Sequence, residues 1–486
     1  MRLWLRKFAL FLLALSLLFP IDSVGTSRTS TKAKTKSIKK ETQKISNKSS
    51  KKTSKSKKSR KRTRVFVRKV ALNQVSILET RELATGVFYK KYKFGKEPLR
   101  ILVHVVEVDI DSTPYGVKVL KAKNSIDGLD YLKNIYEDYQ FELTRIYGGE
   151  LLALANANFW SAFMNYPIGI LVSEGEVISM RKYKEWSSIF FDESNRPYID
   201  NFELSGELIL PNNKILSIDN VNRRRENDFV VLYNKYIGDS IPKVHIEDLD
   251  KLVQETISSI ISNVDVVDSN EVEIDTNEIR NQILNARKQE SIEFSTKKLR
   301  FRYLEPPAIN QKVKVEFLGM DSGVVHLPPN GFVLSIPQDY TRDLKLKIGD
   351  QCYLHFATDR LRYIKFTNAV SGTPRLVRKG IAKHEAYQEG SRGYRFIGSQ
   401  LPRTAIGTNM SKTRVYLFVV EASRTNNSLG ANLSQLSYIA KKIGCYDAMN
   451  LDGGGSSILF VQGKRVNGVE GSNGRKISVA IGISTK

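Results

Sequence analysis

Cysteine is nearly absent: the 486 residues contain two, Cys352 and Cys445. A fold stapled by disulfides is thereby excluded, and two buried free thiols fit this usage better than one bridge. Two cysteines and five scattered histidines also supply no zinc-type spacing. Long apolar runs are missing too. The marked one, Phe8 to Phe19, is twelve residues, short of what a permanent helix needs to cross about 30 Å of hydrocarbon. With 14 Pro and 31 Gly, collagen-like and low-complexity architectures drop out, while 41% hydrophobic residues suffice for at least one sizeable core.

Acidic residues are outnumbered, 51 against 76 basic ones, for a formal charge of +25. That excess is local. Residues 26–64 hold 17 Lys/Arg against the single acid Glu41, and residues 1–25 add a net +2, which leaves +7 for the other 422 residues. The 26–64 segment is Lys, Ser and Thr with almost nothing apolar to bury, so it reads as a disordered linker. It suits a solvated spacer or a tether to anionic wall polymer or lipid headgroups better than a nucleic-acid arm. Ahead of it, Arg2, Arg6 and Lys7 precede the apolar run and then Pro20 and Ser23-Val24-Gly25. This is the layout of a signal peptide over residues 1–25, with an uncleaved anchor as the alternative. No cysteine near the junction could carry a lipid. The expected product is therefore exported: periplasmic, cell-surface or secreted.

Residues 65–96 are mixed in character and read as an N-terminal extension; the main domain is set at 97–486. Strand signals lie at Ile101 to Ile110, Leu151 to Ala155, Pro167 to Val172, Val313 to Phe317, Gly331 to Ile336, Cys352 to Phe356 and Val415 to Val420. Leu129, Leu132, Tyr136 and Tyr139 share one helix face. Asn432 with Gln435 forms a capping box, and Gly444 closes the helix that carries Leu433, Leu436, Ala440 and Ile443. Residues 241–300, rich in Glu, Asp, Asn and Ile, read as a partly helical insertion with helical patterns at Leu249 to Ile261 and Ile279 to Ala286. The expected class is α+β: β-rich mixed sheets with a few packed helices.

The chemistry is expected at Asp452-Gly453-Gly454-Gly455-Ser456-Ser457, between the short strands Asp447 to Leu451 and Ile458 to Val461. Glycines weaken strands and are tolerated where backbone must approach something closely. Their N–H groups can converge on an oxyanion, the two serines add hydroxyls, and Asp452 supplies a carboxylate at a strand end. The Walker and dinucleotide patterns are both absent. Arg403, fixed by Pro402, offers a forked cation for phosphate. Glu421, Asn156 and Asn158 also fall at strand ends.

Several of these segments together resemble one family. Asn450-Leu451-Asp452-Gly453-Gly454-Gly455-Ser456-Ser457 closely resembles the signature of the phosphodiester glycosidase family. Pro402 to Gly407, Ser371 to Pro374 with Leu376-Val377, and Asn156 to Trp160 resemble further segments of it, and Gly331 to Ser335, Gly349-Asp350 and Arg475 also fit. The resemblance covers about residues 100–486, with 241–300 as extra. Ala157 and Asn158 replace a Gly and an Asp of the family pattern, and Glu421-Ala422-Ser423 stands where Asp-Gly-Arg is usual.

What the resemblance implies is hydrolysis of the sugar–phosphate bond in a sugar-1-phosphodiester. Asp452 would be the acid/base or nucleophile and Glu421 the second carboxylate, with Asn158 at the third catalytic position. Asn156, Arg403, Thr404, Asn450, Gly453, Gly454, Gly455, Ser456 and Ser457 would bind sugar or phosphate. No cofactor is called for, although a divalent cation between Asp452 and Asn156 is conceivable. Two rivals stay open: a glycoside hydrolase acting on non-phosphorylated envelope polysaccharide, and a non-catalytic glycan-binding protein, which the departures at 158 and 421 favour.

Overall fold

The computed structural model describes residues 71–486 apart from 163, 224, 226–227, 243–252, 259–275 and 469–472. The signal and linker expectations for 1–25 and 26–64 lie outside the described residues, as does much of 241–275. The described chain is strand-rich with few helices, the α+β class expected.

The strand Leu99–Asp109 shows how the layers form. Ile101, Val103 and Val105 sit in one buried cluster and Val106 and Val108 in another, so the strand is covered on both faces. A near-continuous apolar run, rather than strict alternation, is the sequence of such a strand. It lies in a nine-stranded sheet with Val75–Ala84, Val87–Lys96, Ser428–Leu429, Arg414–Ser423, Arg403–Thr408, Asp447–Asn450, Arg375–Arg378 and Ile381–Ala382. The helix Leu433–Ile443 covers one face through Leu433, Leu436, Ile439, Ala440 and Ile443. Its capping box is formed: Asn432 Oδ1 accepts from the Gln435 N–H at 2.9 Å and Gln435 Oε1 from the Asn432 N–H at 3.0 Å. Gly444 ends it at φ 115°, a conformation that disfavours any residue with a Cβ.

The other face packs on a five-stranded sheet of Lys464–Arg465, Leu459–Val461, Leu151–Asn156, Val479–Thr485 and Tyr115–Lys121. Behind that sheet the helix Leu132–Tyr147 buries Leu132, Ile135, Tyr136 and Leu143 against Leu151, Leu154 and Phe460. The order is thus helix, sheet, sheet, helix. A second core, with Phe190, Phe202, Phe301, Phe332 and Phe366, belongs to an eight-stranded sheet and another five-stranded sheet.

One expected boundary, at 96/97, falls in the turn between two paired strands, and another, at 300, falls inside a strand. Residues 75–96, read as an extension, are two strands paired along their length with each other and with Leu99–Asp109. The 241–300 segment contains the helix Thr276–Ser295 and ends in the strand Lys297–Tyr303, which lies between Gln311–Ser322 and Gly331–Ile336 in the eight-stranded sheet. The helix end is tied down by Arg225, whose Nε donates to Glu293 Oε2 at 2.9 Å, both side chains being buried. Cys352 and Cys445 are buried free thiols.

Candidate active site

The two facing sheets end together, and the glycine turn is the crossover between them. Asp447–Asn450 ends in the nine-stranded sheet with Asn450 opposite Ala405, and Leu459–Val461 begins in the other with Leu459 opposite Ala155. Between them the Leu451 N–H donates to the Thr404 carbonyl at 2.9 Å, and the next N–H, of Asp452, to the Ala157 carbonyl at 2.8 Å. One peptide step therefore changes sheets. The turn then docks on the first, with the Gly454 N–H 3.0 Å from the Pro402 carbonyl. Gly454 sits at φ 63°, where a side chain is strained, and a Cβ on Gly453 would stand 3.3 Å from Pro402 O.

Asn156 is the knot. Its Nδ2 donates to the Asp452 carbonyl at 2.7 Å, and its Oδ1 accepts from Thr404 Oγ1 at 2.7 Å and from the Ile458 N–H at 3.2 Å. An amide can do this because it carries donor and acceptor on one planar head. The same engagement leaves Asn156 no oxygen for a cation beside Asp452. Among the described residues, no group of three or more His, Cys, Asp or Glu could hold a metal ion.

Asp452 is half-buried, with Oδ1 accepting from the Gly453 N–H at 2.9 Å. Ser456 and Ser457 are almost fully buried, yet neither hydroxyl has a hydrogen-bond partner, and neither does Asn450 Oδ1. The Asn450 amide donates to the carbonyls of Thr373 and Leu451, both at 2.7 Å. The turn's backbone is mostly spent on itself: the Ser456 N–H donates to Gly453 O at 3.3 Å and the Ser457 N–H to Gly454 O at 3.1 Å. These two N–H groups are therefore not free to converge on an oxyanion.

Glu421 lies two residues before the end of Arg414–Ser423, on the face toward the second sheet, and is 1% exposed. Its Oε2 is 3.0 Å from His104 Nε2; its Oε1 accepts from Asn426 Nδ2 at 2.6 Å and from the Gly468 N–H at 3.1 Å. Burial pushes this carboxyl up, but the hydrogen bonds from His104 and Asn426 outweigh it and hold it below the ordinary glutamate value. An ionised carboxylate only accepts, so His104 donates from Nε2, while its Nδ1 pairs with Tyr89 Oη, 2.9 Å away. Asn467, next to Gly468, holds the turn from above: its Nδ2 donates to Ser457 O and its Oδ1 accepts from the Leu459 N–H, each at 2.8 Å.

Two expected residues are fastened by protein carbonyls, Arg403 beside the turn itself, where a Cβ on Gly453 would stand 3.8 Å from its Cδ. Arg403 is 1% exposed; its Nε donates to the Ala431 carbonyl at 3.0 Å and its Nη2 to those of Phe396 and Ser399 at 2.7 and 3.2 Å. Burial pulls its pKa down to about 10, so it stays cationic at neutral pH. Asn158 is also buried: Nδ2 donates to the carbonyls of Ile168 and Ile170 at 3.1 and 3.3 Å, and Oδ1 accepts from the Ser371 N–H at 3.3 Å. It braces the loop after Asn156. Phe159, in that loop, packs edge-on against Trp186 and Phe396 with ring centres 5.3 and 6.2 Å apart, which gives the strand-end region an aromatic side.

The sequence reading missed His104, Asn426, Asn467 and Gly468. The one available signal was a histidine inside an otherwise apolar strand, and its partner is 317 residues away.

Residues 310–484 match the family model described as phosphodiester glycosidase. That span holds Arg403, Thr404, Glu421 and the whole Asn450 to Ser457 segment, and the match points to glycosidase-type chemistry. Asn156, Asn158 and His104 lie outside it. No curated protein matches this chain. Among solved structures, a Synechocystis protein without assigned function is similar over 82% of this chain at 16% identity and a TM-score of 0.54. This chain spans 62% of that protein's length. A Burkholderia pseudomallei protein named for its presumed export is similar over 84% of this chain and 96% of its own, at 13% identity and a TM-score of 0.52. These two likenesses concern the fold. The zebrafish N-acetylglucosamine-1-phosphodiester alpha-N-acetylglucosaminidase catalytic domain aligns over 84% of this chain and 87% of its own at 11% identity, with a TM-score of only 0.37. No helix among the described residues is long and apolar enough to cross a membrane.

Proposed function

We propose that this chain is an exported hydrolase that cleaves the glycosidic bond of a sugar-1-phosphodiester, releasing the sugar and leaving a phosphomonoester. The observation that carries the reading is the pair of buried, unpartnered hydroxyls of Ser456 and Ser457 in the turn that begins at Asp452, inside the segment that matches the family. Buried polar groups without partners are rare, and here they have the chemistry of donors to a phosphoryl or sugar oxygen.

In this reading water attacks the anomeric carbon as its bond to the phosphate oxygen breaks. Phosphate departs with its own negative charge and needs little protonation. Asp452, the accessible carboxylate, takes the proton from the attacking water or attacks first itself. Glu421 acts without touching substrate, as a fixed anion between the sheets that favours the positive charge developing on the sugar ring. Arg403 and Asn158 hold the walls. The aromatic side at Phe159 suits the apolar face of a sugar ring.

A second reading, glycan binding without turnover, draws support from the full engagement of Glu421 and Asn158 by other protein groups. One experiment separates the two: reducing-sugar release by the full chain and by Asp452→Asn, from sugar-1-phosphodiesters and matched plain glycosides. Release from the phosphodiesters alone, lost in the variant, is expected. Tight binding of both sets with no release establishes the second reading instead. Export is tested apart, by sequencing the N-terminus of the mature protein.

A further inference from the structure

Arg403 has Nε and Nη2 on protein carbonyls, and a second arginine lies at the strand-end region. Arg475 lies just before the last strands, Lys476–Ile477 and Val479–Thr485. Its guanidinium carbon sits 5.4 Å from the centre of the Trp160 ring. Among the described residues it has no ion-pair or hydrogen-bond partner, and its Nε is buried. Arg403 spends Nε and Nη2 on three carbonyls, whereas no described residue pairs with the guanidinium of Arg475.

Its neighbours place it at the strand-end region. Trp160 closes the Asn156 to Trp160 loop, whose first residue donates to the Asp452 carbonyl, and the loop is pinned by the Ile168 N–H donating to Phe159 O at 2.8 Å. On the other side Gly474 lies against Ile458, so closely that a Cβ there would come within 2.2 Å of its Cδ1. Ile458 follows Ser457 directly. Arg475 is therefore flanked by the loop carrying Asn156 and by the turn carrying the two unpartnered hydroxyls. Stacking on an aromatic ring holds a guanidinium flat while leaving its edge N–H groups available.

We propose that Arg475, seated on Trp160, is the residue that grips the phosphoryl oxygens of the ligand, giving the site its selectivity for phosphorylated over plain sugars. This deepens the reading given under the proposed function and rests on it for the placing of phosphate. The flat fork suits two oxygens of one phosphoryl group, as a lysine point charge does not.

The test is equilibrium binding by the full chain of a sugar 1-phosphate, of inorganic phosphate and of the same free sugar. Arg475→Gln is expected to weaken both phosphate-bearing probes roughly ten- to hundredfold and to leave free-sugar binding alone. Arg475→Lys, which keeps charge but loses the fork, falls between. Because the guanidinium has no hydrogen-bond partner among the described residues, both variants are expected to melt close to the parent. The inference is overturned if Arg475→Gln binds sugar 1-phosphate as the parent does, or if the parent does not prefer it to free sugar. A protein that binds phosphate through Arg475 but releases no sugar from any phosphodiester upholds this inference and overturns the catalytic reading alone.

Discussion

Removing the hydroxyls of Ser456 and Ser457 should move stability and activity in opposite directions. Both side chains are nearly excluded from water, at 1% and 3% exposure, and neither hydroxyl has a partner. A buried polar group without a hydrogen bond costs about 1–3 kcal/mol, so each Ser→Ala change removes a penalty the folded protein carries. The lost oxygen leaves only a small void. The expected result is a stability change between zero and about 1 kcal/mol in the favourable direction for each variant. If the hydroxyls donate to a charged phosphoryl or sugar oxygen, each is worth about 1.5–3 kcal/mol there, a roughly ten- to hundredfold loss in kcat/KM. Urea unfolding of the parent, the single variants and the double variant gives the first quantity, and initial rates on a sugar-1-phosphodiester give the second. Thr404→Val is the control: its hydroxyl is equally buried but donates to Asn156 Oδ1 at 2.7 Å, so its loss should cost about 1 kcal/mol of stability. If Ser456→Ala and Ser457→Ala both destabilise by more than about 1 kcal/mol, the hydroxyls are structural and the observation carrying the proposed function fails.

The remaining predictions concern the buried charges. Every partner of Glu421 is a donor, so Glu421→Ala strands three of them and should cost about 3–5 kcal/mol in urea unfolding. Because its folded carboxyl lies below its ordinary value, this contribution is full above about pH 5, the ordinary glutamate range, and fades as pH falls through the folded value. The gap between parent and Glu421→Gln should therefore narrow in acid; a gap constant with pH refutes an ionised Glu421. Arg403→Lys should cost about 1–3 kcal/mol, since an ammonium cannot reach all three carbonyls, and should lower rates on phosphodiesters and plain glycosides alike. A loss confined to phosphodiesters would return the phosphate role to Arg403. Lys121 is buried with its amine donating to the Gly128 carbonyl, and burial lowers its pKa to about 7. Between pH 7 and about 10 the unfolded chain then binds the extra proton, so stability rises with pH across that window. Lys121→Met should flatten that rise and raise stability near pH 6, and an unchanged slope would refute the assignment.

Local chemistry was legible and long-range pairing was not. The capping box at Asn432 and Gln435, the Gly444 stop and the strand Gly331–Ile336 depend on neighbours within a few residues, and each forms where its pattern places it. The Val75–Ala84 strand escaped notice because it is largely exposed on both faces and so carries no apolar alternation to read. Its partner Val87–Lys96 is obscured by lysines between Tyr89, Tyr92 and Phe94. The turn at 452–457 announced itself through its glycines, but its work as a crossover between two sheets depends on registers set by strands hundreds of residues apart.

The same distinction governs the charged residues, and it explains why residue type at a strand end was a poor guide to role. A carboxylate, an arginine or an amide at such an end can face a ligand or fasten the scaffold, and the number of protein partners it has already accepted decides between them. By that measure Glu421, Arg403, Asn158 and Asn156 are fasteners: each uses three side-chain hydrogen bonds on protein atoms. Ser456, Ser457 and Arg475 stand apart, placed at the same end and left with polar atoms unspent. Under the proposed function, a ligand oxygen completes the two buried hydroxyls. The fasteners then have a function of their own. By fixing the two sheet ends through Asn156 and the Glu421–His104 pair, they hold the unspent groups in place before any substrate arrives, so binding need not supply that order.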